Sequence, residues 1–246
     1  ATTAVSIPSG AAFEGTFDGQ GYVLRNLRME AALTGDNQAY GLFGVLKGAT
    51  VKNLVLGAEN GDTGSFKVSG NGVTSTGVIA GASVESTIEE CTSYLPMECL
   101  GNGASNKLMT MGLVGFVYGA GTSDETVTKL IGLKNYGAMK AVPGAANTNG
   151  FTSTQAGCIA GVSNTSRTST FRNLITRCAN YGDMAVSTGR ASGIVAAANT
   201  FTVVSECENH GDMLNTYGES GGGRLGNITC ILGTSSAVDG CTNYGD

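Results

Sequence analysis

The residues in this chain that could do chemistry are few and thinly spread. Seven cysteines stand at 91, 99, 158, 178, 207, 230 and 241, one histidine at 210, and 19 acidic residues occur one or two at a time. The densest acidic clusters are Glu89-Glu90 and Glu206/Glu208. Cleaving a polysaccharide needs paired carboxylates, or a Lys/Arg base beside acids, converging on one face. Neighbours in an extended strand point to opposite sides, so only alternate members of these clusters can act together. One histidine without a defensible nucleophile makes no Ser-His-Asp or Cys-His arrangement. The cysteine count is odd and no CxxC spacing occurs, which points away from a zinc site.

What these residues do share is position in a repeat. Cys178-Ala179-Asn180-Tyr181-Gly182-Asp183-Met184 returns as Cys207-Glu208-Asn209-His210-Gly211-Asp212-Met213 and as Cys241-Thr242-Asn243-Tyr244-Gly245-Asp246. Looser copies are Leu133–Met139 and Cys91–Met97. A column of anchors follows: Leu27, Leu54, Cys91, Leu133, Cys178, Cys207 and Cys241, with the 27 residues from Leu27 to Leu54 setting the scale of one repeat. Cysteine at an apolar repeat position reads as a small buried hydrophobe rather than half of a bridge.

The other columns are read in the same way. The side-chain amides of Asn135, Asn180, Asn209 and Asn243 can donate and accept between neighbouring repeats, forming a ladder. The glycines at 137, 182, 211 and 245 mark a tight turn that calls for a positive φ. Tyr94, Tyr136, Tyr181, His210 and Tyr244 are expected to stack ring on ring. An exposed platform for sugar rings is the alternative for the same column. His210, standing in a tyrosine position, is a stacked ring rather than a metal ligand or a general base. Asp183, Asp212 and Asp246 cap turns, since Ca²⁺ needs six to eight oxygens and no acid-rich loop supplies them. The methionines at 97, 139, 184 and 213 fill core.

The elements that place these residues are short. Gly-apolar-apolar-Gly openers recur at Gly41–Gly44, Gly77–Gly81, Gly112–Gly115 and Gly157–Gly161, with altered copies at Gly193–Ala197 and Cys230–Gly233. No segment sustains a 3.6-residue apolar stripe, so helical repeats are excluded, and no four-strand aromatic blade motif appears. Short strands, Gly/Asn turns and elastic spacing fit a parallel β-solenoid with one coil per repeat. Insertions at 58–71, 98–110 and 142–154 are expected to protrude from its sides.

Composition narrows the partners. With 39 Gly, 3 Pro, 41% hydrophobic and 13% charged residues the chain is neither collagen-like nor disordered. The 14 Lys and Arg are scattered and the net charge is −5, which excludes a nucleic-acid stripe. No apolar run approaches a membrane span, so a membrane would be met only through an anchor outside this chain.

Phe13-Glu14-Gly15-Thr16-Phe17-Asp18-Gly19-Gln20-Gly21-Tyr22-Val23-Leu24-Arg25-Asn26-Leu27 resembles the opening segment of GLUG-motif cell-surface proteins of Bacteroidetes-type bacteria, and Gly41-Leu42-Phe43-Gly44 and Gly112-Leu113-Val114-Gly115 match the short motif itself. The resemblance implies an extracellular right-handed parallel β-helix, often part of a longer lipid-anchored or secreted protein. It carries over no catalytic residues. Gly193–Ala197 and Thr229–Gly233 depart from the motif.

The expected protein is therefore all-β, a single-stranded right-handed parallel β-helix of about six to seven coils with side-loop insertions. Residues 1–246 form one domain, expected to continue beyond Asp246. Its expected role is a non-enzymatic, adhesin-like module at the bacterial outer surface or outside the cell, binding a glycan or host protein or displaying other domains. A β-helix polysaccharide lyase or glycoside hydrolase, and a purely structural stalk, are the alternatives. No cofactor and no metal are expected, and Tyr136, Tyr181 and Tyr244 are the candidate ligand-binding residues.

Overall fold

A computed structural model describes residues 11–60, 64–70, 72–101, 108–143, 153–166, 170–187, 189–216 and 224–246. The described chain is a parallel β-solenoid in which each coil crosses four walls in turn. The first wall has seven strands, from Thr16–Asp18 through Thr50–Lys52 and Thr87–Glu89 to Ala237–Asp239. The second also has seven, each of two residues, from Val23–Leu24 to Thr242–Asn243. Six strands form the third, from Arg28–Leu33 to Met213–Asn215. The fourth is the longest and includes Thr74–Val84 and Leu108–Gly119. Every strand pair among the described residues is parallel.

Strand alternation assigns the core. In the first wall Val51, Ile88, Leu130, Ile175 and Val204 lie in one register file, and all are fully buried. In the third wall Met29, Phe66, Met97, Met139, Met184 and Met213 form another, so the methionine column is core as expected. Leu54, Cys91, Leu133, Cys178 and Cys207 form the file that opens the second wall, at 1% exposure or less, with Cys241 partly buried beyond them. Burying such files against one another supplies the driving force, at about 25 cal/mol per Å² of apolar surface.

Three expectations are corrected. Val23 pairs with Val55, so the first-coil residue level with Leu54 is Tyr22 and not Leu27. The first coil carries two additional residues at this corner, where Gln20 and Gly21 both adopt positive φ. The supposed side insertions hold the strand Ser65–Gly70 and parts of Met97–Gly101, Leu108–Gly119, Met139–Pro143 and Ser153–Gly157, all strands of the third and fourth walls. They are part of the wall because Phe66, Val68 and Cys99 point into the core. Residues 61–63, 71, 102–107 and 144–152 of those insertions lie outside the described residues. Finally, Gly226 rather than Cys230 opens the last coil, since Ser192 pairs with Gly226 and Ala197 with Ile231.

The openers are creases in the fourth wall. Val78, Ile79, Leu113, Ile159 and Ile194 are fully buried in the main core. Around them the two halves of each strand fold together. A Cβ on Gly81 would lie 2.8 Å from the Ser75 carbonyl, and one on Gly161 2.9 Å from that of Gln155. Glycine avoids that collision, which is why the pattern recurs. A second, smaller apolar file runs along the crease: Val45, Ala82, Phe116, Val162 and Ala197.

Candidate functional site

The second wall holds the repeated heptapeptide. Its corner with the first wall is made by Asn53, Glu90, Gly132, Arg177, Glu206 and Gly240, all at positive φ between 50° and 65°. The next residue enters the core as the Cys/Leu file. Thiols of Cys178, Cys207 and Cys241 also point at the carbonyls of Leu130, Ile175 and Val204 at 3.6–3.7 Å, a contact leucine cannot make. All seven cysteines are free. Burial pushes the Cys91 and Cys99 thiols up to about 12, so neither supplies a thiolate near neutral pH.

The asparagine column is an internal amide ladder. Asn135 donates from Nδ2 to Asn180 Oδ1, Asn180 to Asn209 and Asn209 to Asn243, each at 2.8 Å. The same Nδ2 groups of Asn135, Asn180 and Asn209 donate to the carbonyls of Gly137, Gly182 and Gly211 at 2.8–2.9 Å. The glycines are required for a different reason from the one expected: none of 137, 182, 211 and 245 has a positive φ. A Cβ on Gly182 would instead collide with the Gly137 carbonyl, and one on Gly211 with that of Gly182. Close stacking of backbone on backbone fixes the column.

The aromatic column is a continuous face-to-face stack. Centroids of Tyr94–Tyr136, Tyr136–Tyr181, Tyr181–His210 and His210–Tyr244 are 4.5–4.7 Å apart, with planes within 13°. Tyr136, Tyr181 and Tyr244 are thus in one file, at 39%, 38% and 61% exposure. Stacking covers the faces between coils and presents edges to the side. His210 Nε2 lies 2.9 Å from the Glu208 carboxylate, which fixes the ring in the stack. Burial, then the neighbouring Tyr136, raises the Tyr94 and Tyr181 hydroxyls above the usual tyrosine value, so both remain neutral donors well into the alkaline range.

Carboxylates border the stack as caps. Asp183 Oδ1 accepts from the Asp212 backbone N–H and Asp212 Oδ1 from that of Asp246, both at 3.0 Å. The acidic clusters do not converge: Glu90 and Glu206 share one corner file but are separated by Gly132 and Arg177. Asp18, Gln20, Asn53, Val55 and Glu90 surround a shallow open depression. Hydrogen bonds from Asn53 and the Gln20 N–H hold the Asp18 carboxyl below the usual carboxylate range. Among the described residues no three His, Cys, Asp or Glu side chains come together as a metal site.

Two lateral features carried no sequence signal. One is a charge file on the third wall, where Glu98 stands between Lys67 and Lys140 at 3.8 and 3.7 Å. The other is Gln155, Arg190 and Arg224, in one register file on the fourth wall. Neither belongs to the heptapeptide, so the repeat could not reveal them. Comparison with family models, curated proteins and solved structures found no match.

Proposed function

We propose that this protein is a non-enzymatic recognition module of a bacterial outer surface, binding a glycan or a host surface protein along the edge of the aromatic stack. The observation that carries the reading is the stack itself: five rings at 4.5–4.7 Å intervals, with edges exposed and the interior held by the amide ladder. Tyrosine edges and hydroxyls combine apolar area with a polar tip at little conformational cost, which suits them to recognition. A chain molecule lying parallel to the coil axis would meet the same contact at each coil. The resemblance of Phe13–Leu27 to GLUG-motif surface proteins points the same way, as does the absence of a convergent acidic pair at the two acidic clusters.

The test is a glycan array with a wall-polysaccharide panel, followed by titration of the hits against Tyr181→Ser. Binding that weakens at least about tenfold in the variant, the loss of one good contact, is the expected result. Retention of full affinity by Tyr181→Ser, or no hit at millimolar ligand, would overturn the reading.

Display of other domains is a second reading, favoured by the unbroken register of the first two walls over seven strands each. A solenoid of this kind is a stiff spacer because each coil is fixed to its neighbours along its whole perimeter.

A further inference from the structure

The fourth wall holds a second place where the chain's polar groups are incompletely matched. Gln155 pairs in register with Arg190, and Arg190 with Arg224. Parallel pairing brings all three side chains to the same face, on coils about 4.8 Å apart. Arg190 and Arg224 therefore set like charges on one face of adjacent coils, a destabilising arrangement unless a counter-charge is near. Among the described residues no carboxylate pairs with either arginine. Gln155 is 7% exposed, and its buried Oε1 has no hydrogen-bond partner among the described residues. The hydroxyl of Ser192, two residues after Arg190 and fully buried, is also without one. The crease beside them is closed by the small residues Ala197 and Gly161.

Buried polar atoms are almost always satisfied, and two unsatisfied ones beside two unpaired cations are a mismatch that a ligand would remove. A ligand that carries both a carboxylate and hydroxyl groups fits both demands. Arginine donates bidentately to a carboxylate, and a hydroxyl on the same ligand can donate to the unmatched Gln155 Oε1. We infer that Arg190, Arg224 and Gln155 form a binding site for the carboxylate of an acidic saccharide, a hexuronate, on the wall that carries the creases. The saccharide part of this inference rests on the glycan reading above; the oxyanion part does not. The chain's net charge of −5 makes the arginine pair a local positive point on an otherwise negative molecule, which favours approach of an anion there over the acid-bordered aromatic stack.

The experiment titrates the full chain with a galacturonate trimer, with a neutral galactose trimer and with sodium acetate, while the arginine Nε–Hε resonances are followed by NMR. The galacturonate trimer should shift two arginine signals, those lost in Arg190→Gln and Arg224→Gln. Its affinity should fall about tenfold in either variant, the loss expected for one charge-assisted contact. Affinity should also fall with added salt, and Arg224→Lys, which keeps charge but not the fork, should lie between. Circular dichroism of each variant shows whether the β-solenoid persists. Unchanged affinity in the folded double variant, or a neutral trimer binding equally well at the arginines, would overturn the site. Acetate shifting the same signals while the galacturonate trimer shifts none would sink the hexuronate assignment. A neutral glycan bound at the tyrosines with no anion bound at the arginines would sink this inference and leave the reading of the stack intact.

Discussion

Gly182 shows how little room a single residue has here. Its missing Cβ would fall on the Gly137 carbonyl, and the Gly211 position stands in the same relation to Gly182. Backbone cannot give way as a flexible side chain can, so Gly182→Ala should destabilise the fold by about 3 kcal/mol, at the upper end of overpacking costs. Equilibrium denaturation measures this, and a loss below about 0.5 kcal/mol would show that the coils have slack. The buried thiols give a second prediction at this scale. A cysteine ionises near pH 8.5 in an unfolded chain, whereas burial pushes Cys91 and Cys99 up to about 12. The folded state then holds the proton longer. Stability should be full below about pH 8.5 and should fall from there towards pH 12, by up to about 1.4 kcal/mol per pH unit for each thiol. Denaturation midpoints at pH 7, 9 and 10 should record the decline, and Cys91→Ala should flatten it.

At the scale of one element, the ladders act as units. Asn180 sits mid-ladder, accepting from Asn135 and donating to Asn209 and to the Gly182 carbonyl. Asn180→Ala takes the acceptor from the Asn135 amide and the donor from Asn209 Oδ1 and the Gly182 carbonyl, and should cost about 3 kcal/mol, well above the roughly 1 kcal/mol of one ordinary hydrogen bond. The measurement is the same denaturation midpoint, and a cost near 1 kcal/mol would mean that the amides act independently. The charge file of the third wall is the exposed counterpart. Glu98 separates two lysines at 3.8 and 3.7 Å, so Glu98→Lys would set three cations in one file. Exposed pairs are worth little, so the expected cost is about 1 kcal/mol at low ionic strength. It should shrink in 0.5 M salt, where screening shortens the reach of each charge.

The whole molecule is a stack of coils in near-identical register, and that makes it divisible. Cys178 and Cys207 occupy equivalent places, since Ala179 pairs with Glu208 and Asn180 with Asn209. The coil between them is 29 residues long. Deleting residues 178–206 joins Arg177 to Cys207, so that Arg177 takes the place of Glu206 at the corner, and both of these residues are left-handed in the parent. The shortened protein should fold with the same far-UV signature per residue and a melting temperature lower by only a few degrees, because solenoid stability is approximately a sum over neighbouring repeats. Loss of cooperative unfolding in the deletion would show that the molecule is one indivisible domain instead.

What the sequence determined by itself was whatever repeats. The heptapeptide placed Cys178, Asn180, Tyr181 and Met184 above their counterparts at 207, 209, 210 and 213, and those files are present in the fold. They were legible because a coil-to-coil ladder rewards the same side chain at the same step, so stacking is written directly into residue identity. Tertiary structure decided everything that does not repeat by identity. The first coil's extra residues at Gln20 and Gly21 shifted its register from Leu27 to Tyr22, and no spacing within one coil reveals that. The supposed insertions became third- and fourth-wall strands, because burial of Phe66 and Val68 depends on what faces them across the core. Arg190 came to lie over Arg224 for the same reason: chain separation says nothing of distance until the coil closes, and only the closed coil turns residues 34 apart into neighbours one strand away.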